Sequence, residues 1–242
     1  MLLQDFAGAN RPAPLTIVDI SWPVSAVMPL WPGDPATEVE AWTSLTQEGY
    51  FLNRLSIGEH NGTHLGSPKH YLADGKAMAD VKPQSLLAPA IKINCRSRCR
   101  KEPEYRIDLA DIERWEQRFG PIPPHHWLLI ETGWSRYWNS DPPVDYWQTF
   151  PGVTGAAAEF LCAKRKILGI GIDSAGVDGS AGQDFAVGRC LASLGRLHLE
   201  NLCRLQPLPG KGILIFIGAL AIVNGSGSPC RVMALFPQQR PR

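Results

Sequence analysis

Three of the six histidines in this chain, His60, His64 and His70, lie within eleven consecutive residues. Neutral imidazole is the most common protein ligand for zinc and similar divalent metals. The spacing of His60 and His64 allows both rings to reach one ion, and Gly62 between them allows the backbone to turn. From spacing alone, a surface loop whose histidines make ordinary hydrogen bonds is an equally good interpretation.

The segment that contains these histidines, HNGTHLGSPKH, resembles the signature H-x-G-T-H-x-D-x-P-x-H of the metal-dependent cyclase family. That family includes kynurenine formamidase, isatin hydrolase and some polyketide cyclases. Further segments resemble family motifs in the family's order, at residues 28–34, 131–134, 169–174, 184–185, 199–202 and 225–235. The resemblance extends over residues 15–236, so the chain is identified as a member of this family.

The resemblance implies a single α/β domain of the swivelling β/β/α type, assembled into homodimers or homotetramers. It implies that His60, His64 and Glu200 are metal ligands and that His70 is the catalytic general acid or base. Two histidines and one carboxylate can hold one catalytic zinc with an open position, and they also suit manganese. The expected cofactor is therefore one divalent metal, zinc or manganese.

Two positions depart from the family pattern, because its ligand Asp is Gly66 here and its second-half ligand His is Gly188. Glycine has no side chain with which to bind a metal. A site with a single metal and a site without any metal are the alternatives that remain. The side chains that could substitute in space are Asp34, Glu59, Asp173, Asp178 and His198, and the sequence selects none of them. On a strand, however, His198 would face the same side as Glu200.

Four residues are candidates for substrate binding. The aromatic side chains of Trp22, Trp31 and Phe51 could form the wall of a pocket for an aromatic substrate, although packing in the core is the alternative role for each. Arg54 precedes the histidine motif on a predicted strand and could contact a substrate carboxylate.

Three functions are compatible with these residues. The first is hydrolysis of an amide, formamide or lactam C–N bond, with His70 moving a proton to the leaving nitrogen. The second is a ring-forming cyclase or dehydratase of secondary metabolism. The third is a degenerate member that binds a small molecule without a metal, which the two glycines motivate. The family resemblance favours the hydrolase.

The elements that must position these residues include more strands than helices, in a mixed order. Apolar runs and alternation predict strands at residues 15–20, 51–57, 89–94, 127–132, 167–173, 197–202, 213–217 and 231–235. Capping residues and apolar faces predict helices at residues 108–119, 154–166 and 184–194. Residues 60–69 contain Gly and Pro and are expected to form a loop. The mixed order indicates one α/β domain with a mixed-sheet or barrel-like core over residues 15–242, after an N-terminal arm at residues 1–14.

Composition excludes several classes of protein. The chain has 242 residues, 44% of them hydrophobic, so it should bury a sizeable core. Its net charge of +1 gives no basic face for nucleic acid. The longest apolar run, residues 212–223, is too short for a transmembrane helix, which needs about 20 residues. Six thinly spread cysteines without a secretion signal are typical of free thiols in the cytoplasm. The expected partners are a small-molecule substrate and further copies of the chain, with neither nucleic acid nor membrane.

Overall fold

The computed structural model of the protein describes residues 14–140, 145–182 and 184–238. Apart from Pro14, the predicted N-terminal arm at residues 1–14 lies outside the described residues. None of the helices in these ranges is long and apolar enough to cross a membrane.

The described residues form strands and helices that alternate along much of the chain. The strands are β1 (Leu15–Asp19), β2 (Glu38–Thr43), β3 (Leu52–Ser56), β4 (His64–Gly66), β5 (Leu87–Asn94), β6 (Arg106–Ile107), β7 (Trp127–Glu131), β8 (Gly152–Val153), β9 (Gly169–Ile172), β10 (Leu197–Glu200), β11 (Ile213–Ala219) and β12 (Gly227–Pro237). The helices are α1 (Pro83–Leu86), α2 (Arg96–Lys101), α3 (Leu109–Phe119), α4 (Gly155–Ala163) and α5 (Ala186–Ser193).

The main sheet closes on itself. Its strands follow the order β1-β12-β11-β5-β7-β9-β10-β4, and a further pairing of β4 with the start of β12 closes the ring. The strands β5, β7, β9 and β10 are parallel neighbours, whereas β4, β11 and β12 join the ring through antiparallel pairs. The predicted α/β fold with a mixed, barrel-like sheet is confirmed.

Alternation along the ring strands produces two apolar layers. On β7, Trp127 and Leu129 pack with the cluster that the ring encloses, and Leu128 and Ile130 pack with the helices outside. Buried parallel strands are apolar on both faces for this reason. Sequence reasoning placed this strand correctly because its apolar run is continuous.

The outer layer consists of α3, α4 and α5. Asp108 accepts a hydrogen bond from the backbone N–H of Asp111, 3.1 Å away, and so caps α3 as predicted. The buried side chains of Ile112 and Trp115 then join those of α4 and α5 against the sheet. Thr154 caps α4 in the same way, through the N–H of Ala157.

The short elements α1, α2, β6 and β8 were not predicted, and neither were two strands that bear on the site and its surroundings. Residues 64–66 form the short strand β4 inside the segment that was expected to be a loop, because β10 and β12 pair with it on both sides. Residues 38–43 form β2, which pairs with β3 in a separate two-stranded sheet with largely exposed side chains.

Candidate active site

The pairing of β4 with β10 places four functional positions on one face. In this antiparallel register His64 lies opposite Glu200, and Gly66 lies opposite His198. The residues between them, Leu65 and Leu199, face the enclosed core instead. Because directly opposite residues on antiparallel strands are near neighbours, the two histidines and the glutamate converge on the outer face of the ring.

His60 reaches the same face from the turn before β4. Gly62 has a φ of +67°, a conformation that glycine adopts without strain. The ring of His60 lies over Gly227 of β12, where a Cβ would come within 2.6 Å of the ring. His60 Nε2 lies 3.0 Å from Ser226 Oγ, which in turn donates to Glu59 Oε2. This chain of contacts fixes the orientation of the ring and leaves Nδ1 free.

Three imidazoles form a group whose donors suit a divalent metal. His60, His64 and His198 each offer a ring nitrogen, and these atoms all lie within 4.8 Å of one another. His60 Nδ1, His64 Nε2 and His198 Nε2 are buried and have no hydrogen-bond partner among the described residues. His64 Nδ1 lies 3.0 Å from the carbonyl oxygen of Gly62, which can only accept, so Nδ1 carries the proton and Nε2 a lone pair. Since unpaired buried polar atoms are rare, this group fits a bound cation.

Glu200 adds a carboxylate beside the imidazoles. Its Oε1 accepts a hydrogen bond from the N–H of Val177 at 2.8 Å. Its Oε2 lies 3.2 Å from His64 Nε2, so a lone pair and a carboxylate oxygen face each other. This contact is unfavourable unless a proton or a metal ion lies between them. The predicted ligands His60, His64 and Glu200 are thus brought together, with His198 as a fourth donor.

Burial keeps His60 and His198 neutral. It lowers the pKa of His60 far below the ordinary value and lowers the pKa of His198 to about 4. For Glu200, burial alone would raise the pKa, but the groups around it, among them the N–H of Val177 that donates to Oε1, outweigh burial, so the pKa falls below the ordinary value. At neutral pH the group therefore combines lone pairs with one ionised carboxylate, as metal ligation requires.

His70 follows β4 on a short 3₁₀ helix, residues 68–70, and stands at the exposed rim of the group. Its ring centroid lies 3.8 Å from that of His60 and 4.5 Å from that of Tyr71. Partial desolvation lowers its pKa below the ordinary value, against the opposing charge of Glu200. A neutral imidazole in this position can accept a proton from a group bound beside it.

A cavity of about 550 Å³ opens onto these residues. Trp31, Trp147 and Phe150 line one side of it, with the ring of Trp31 edge-on to the other two at centroid distances of 5.2 and 6.2 Å. Trp31 was predicted to bind substrate. Trp147 and Phe150 were not identified from the sequence, although the aromatic density of residues 146–150 was a signal that pointed to them.

The other three predicted substrate-binding residues lie away from this cavity. The indole of Trp22 stacks on Trp138, with ring centroids 5.4 Å apart, and lines a different depression. Phe51 and Arg54 are exposed on and beside β3, in the hairpin with β2. The structure does not bring these three residues to the site within one chain, because Phe51 and Arg54 lie beside or on the separate sheet of β2 and β3 and Trp22 packs against Trp138.

Three of the four acidic substitutes considered for the glycine positions are held by other contacts. Glu59 is bound to Ser226, and Asp173 accepts hydrogen bonds from Thr132 and Gly133. Asp178 accepts from the N–H groups of Val187 and Gly188, and burial raises its pKa to about 6. Asp34 lines the cavity. His198 is the substitute that lies within the imidazole group.

The position of the second glycine is filled by an aromatic ring. A Cβ on Gly188 in α5 would clash with Cε2, Cζ and Oη of Tyr71. Tyr71 thus occupies the space that a side chain at position 188 would need. Burial raises the pKa of its phenol well above the ordinary value, so the ring is neutral.

Comparisons with known proteins agree with this geometry. Residues 18–179 match the protein family described as "Putative cyclase". Isatin hydrolase from Roseibium aggregatum is 30% identical over an alignment of 224 positions, which covers 84% of this chain and 82% of that protein. Kynurenine formamidase from Bacillus mycoides is 30% identical over 220 residues, covering 89% and 95%.

Among solved structures, isatin hydrolase A from Labrenzia aggregata bound to benzyl benzoate superposes with a TM-score of 0.86. It is 26% identical, and the match covers 93% of this chain and 94% of that one. The family match spans more than half of the chain, and the relatives match over most of their length. The chain therefore belongs to the cyclase family, as its histidine motif predicted.

Proposed function

We propose that this chain is a metal-dependent hydrolase that cleaves the C–N bond of an amide, formamide or lactam in a small aromatic molecule. The observation that carries the proposal is the group of three imidazoles, two buried and one half-buried, whose buried free nitrogens have no partner in the described part of the chain. The names of the relatives support the reaction class, because isatin is a lactam and a formamidase cleaves a formamide.

His60, His64 and Glu200 are the residues proposed to hold the metal, zinc or manganese. When bound, such an ion supplies Lewis acidity that lowers the pKa of a water molecule from about 15.7 to about 7. The protein's own contribution is orientation. The carbonyl of Gly62 fixes the ring of His64, Ser226 fixes that of His60, and the N–H of Val177 fixes the carboxylate of Glu200.

His70 is proposed as the group that moves the proton. Its lowered pKa keeps the ring neutral at pH 7, so one nitrogen can accept a proton during attack. The same nitrogen can then donate that proton to the leaving nitrogen of the substrate. Its position at the rim, beside both His60 and the cavity, allows contact with a bound substrate.

The aromatic lining is proposed to hold the ring of the substrate. Trp31, Trp147 and Phe150 offer flat apolar surfaces at right angles, which suit a planar ring. A cavity of about 550 Å³ has room for one or two fused rings with a short substituent.

Metal-dependent hydrolysis is the direct test. Protein stripped with a chelator would be reloaded with zinc or manganese and assayed with an aromatic formamide, isatin and an aromatic lactone. We expect hydrolysis of a C–N bond by the reloaded protein, and His64→Ala should abolish it. His70→Asn should bind the metal normally but lower kcat by about 10²–10⁴-fold.

His126→Ala is the matched control, because His126 contacts the carbonyl of Pro124 outside the cavity. It should leave both metal content and kcat unchanged. Loaded protein that hydrolyses none of the three substrates would reject the proposal in favour of a cyclase or a binding protein. Full activity in His64→Ala would reject the metal centre.

Assembly and compartment are further proposals. We propose a homodimer or homotetramer, because Trp42, Phe51 and Leu55 on the hairpin of β2 and β3 each leave more than half of their accessible surface exposed. Light scattering should report more than one chain per particle, and Trp42→Ser with Phe51→Ser should reduce the mass.

We also propose a cytoplasmic location. All six cysteines lie in the described part of the chain and are unpaired there, which supports a reducing compartment.

A further inference from the structure

We propose that His198 is a fourth protein ligand of the metal, beside His60, His64 and Glu200, and that its imidazole takes the place of a carboxylate at position 66. The inference rests on the metal centre of the proposed function and deepens it. The sequence pattern alone would leave position 66 as a lost ligand. The structure assigns the ligand to a different strand instead.

The space above Gly66 is filled by the side chain of His198. A Cβ built on Gly66 would lie far inside van der Waals contact with Nε2, Cε1 and Cδ2 of His198. The ring of His198 therefore lies across Gly66, from the directly opposite position on β10. Gly66 itself has an ordinary strand conformation, since its φ is not among the positive values. Glycine is needed there for space and not for backbone freedom.

The ring nitrogen Nε2 that lies over Gly66 lacks a hydrogen-bond partner among the described residues. His198 Nε2 is buried and has no partner within residues 14–140, 145–182 and 184–238. The side chain is 2% exposed, so water does not reach it freely. An unpaired buried nitrogen of this kind is unfavourable, and a bound ion would supply the missing partner.

The unpaired nitrogen of His198 lies close to the ligand atoms of His60 and His64. His198 lies within the group in which the ligand atoms of His60, His64 and His198 are within 4.8 Å of one another. The rings of His60 and His198 are nearly parallel, with centroids 6.2 Å apart and planes 13° apart. They stand over Gly227 and Gly66, which are paired neighbours on β12 and β4. Two adjacent glycines thus create room for two imidazoles on one surface.

The exchange of ligands changes the preference of the site. Three neutral imidazoles with Glu200 carry one negative charge, whereas a carboxylate at position 66 would add a second. Imidazole suits zinc, and carboxylates favour manganese and other hard ions. We therefore expect the ratio of zinc affinity to manganese affinity to be higher for this chain than for a variant with Asp at position 66.

Metal binding by the full-length, chelator-stripped chain tests the proposal without any activity measurement. Zinc or manganese alone would be titrated by equilibrium dialysis, and Co²⁺ would be added as a spectroscopic probe of the ligand set. We expect one zinc per chain, at least about a hundredfold weaker binding in His198→Ala, and a changed visible spectrum of bound Co²⁺. His126→Ala should bind as the wild type does.

A reciprocal exchange guards against loss of binding through misfolding. Gly66→Asp alone should bind zinc weakly, because the new side chain displaces His198. Combined with His198→Gly, it should recover at least about tenfold in affinity and shift the preference towards manganese. Recovery in the double variant requires a folded site, so it supports ligand exchange directly.

The outcomes separate this inference from the proposed function. Zinc affinity in His198→Ala within about threefold of wild type, with loss in His64→Ala, would overturn the role of His198 and leave the hydrolase standing. Wild-type protein that binds neither zinc nor manganese would overturn both. Loss of zinc in His198→Ala from a protein without hydrolytic activity would support the ligand and reject the hydrolase.

Discussion

Two buried carboxylates stand at the carboxyl ends of neighbouring parallel strands, and their surroundings are opposite. Asp173, directly after β9, accepts hydrogen bonds from the N–H of Thr132 at 2.7 Å, from its hydroxyl at 2.6 Å and from the N–H of Gly133 at 2.9 Å. Glu200, at the end of β10, has one such donor, the N–H of Val177. Its other oxygen faces the lone pair of His64.

The difference separates structural from functional polar groups. The fold satisfies Asp173 completely, so this carboxylate joins two strand ends and needs no ligand. Around Glu200 the fold leaves three imidazole nitrogens unpaired among the described residues. Single unpaired buried polar atoms also occur elsewhere among the described residues, at Trp22, Thr43, Asn61, Arg106 and Arg196. Three unpaired nitrogens that converge on one point are different, because one ligand can complete all of them.

Removing the paired carboxylate of Asp173 and removing an unpaired imidazole should change stability by different amounts. We expect the largest loss of stability at Asp173. Asp173→Ala leaves the N–H groups of Thr132 and Gly133 buried without an acceptor. We expect a loss of about 3 kcal/mol in the free energy of unfolding, measured by urea denaturation of metal-free protein. His64→Ala should lose less, about 2 kcal/mol, because Nε2 has no partner and the carbonyl of Gly62, which accepts from Nδ1, keeps its hydrogen bond from Asn201 Nδ2.

Asp173→Asn refines this prediction. It keeps one acceptor oxygen but turns an amide nitrogen towards a donor, so it should lose less than Asp173→Ala. If His64→Ala destabilises the metal-free protein as much as Asp173→Ala does, the contrast between the two regions is wrong.

The sequence was sufficient where local signals determine the structure. The run at 127–131 and the capped, amphipathic pattern of 108–119 gave a strand and a helix, since both depend on neighbouring residues. β4 could not be predicted in the same way. Its three residues lie between Gly62 and Pro68, and the last of them is itself a glycine. They become a strand only because β10 and β12 pair with them.

The site shows the same division. The spacing of His60, His64 and His70 and the family resemblance pointed to residues that the structure brings together. His198 was one of five possible substitutes, and only the register between β4 and β10 places it over Gly66. The role of Tyr71 at Gly188 likewise depends on packing between distant segments, which no spacing in the sequence encodes.

A smaller effect is expected at the second glycine, where a phenol and not a ligand fills the space. Gly188→Ala improves helix propensity by about 1 kcal/mol but forces a methyl group into Tyr71. We expect a net loss of about 2 kcal/mol in the free energy of unfolding. Adding Tyr71→Ala should remove the clash, so the two changes together should cost less than their sum.

Gly155→Ala in α4 is the matched control, because its Cβ would meet only Ala186 Cβ at an ordinary 3.8 Å. It should leave stability unchanged or raise it. An equal loss in both variants would mean that helix position, and not Tyr71, determines the cost.

The smallest effect is expected at a third carboxylate, which is paired but partly open to water. Glu116 on α3 accepts two hydrogen bonds from Arg165, at 2.6 and 2.8 Å, and one from the N–H of Ile122. The bond from Arg165 lowers the pKa of Glu116 below its ordinary value of 4.5.

A lowered pKa means that the ionised carboxylate stabilises the folded state above pH 4.5 and that this contribution disappears as the pH falls through the folded-state pKa. Glu116→Gln should therefore lose about 1 kcal/mol in the free energy of unfolding at pH 7, after allowance for solvent screening. The difference from wild type should shrink towards zero in acid. Glu113→Gln, on the exposed face of the same helix, should show no such trend. A difference that stays constant down to pH 3 would show that Glu116 acts by packing, whereas a difference near the 3 kcal/mol expected at Asp173 would show that exposure to water does not weaken a paired carboxylate.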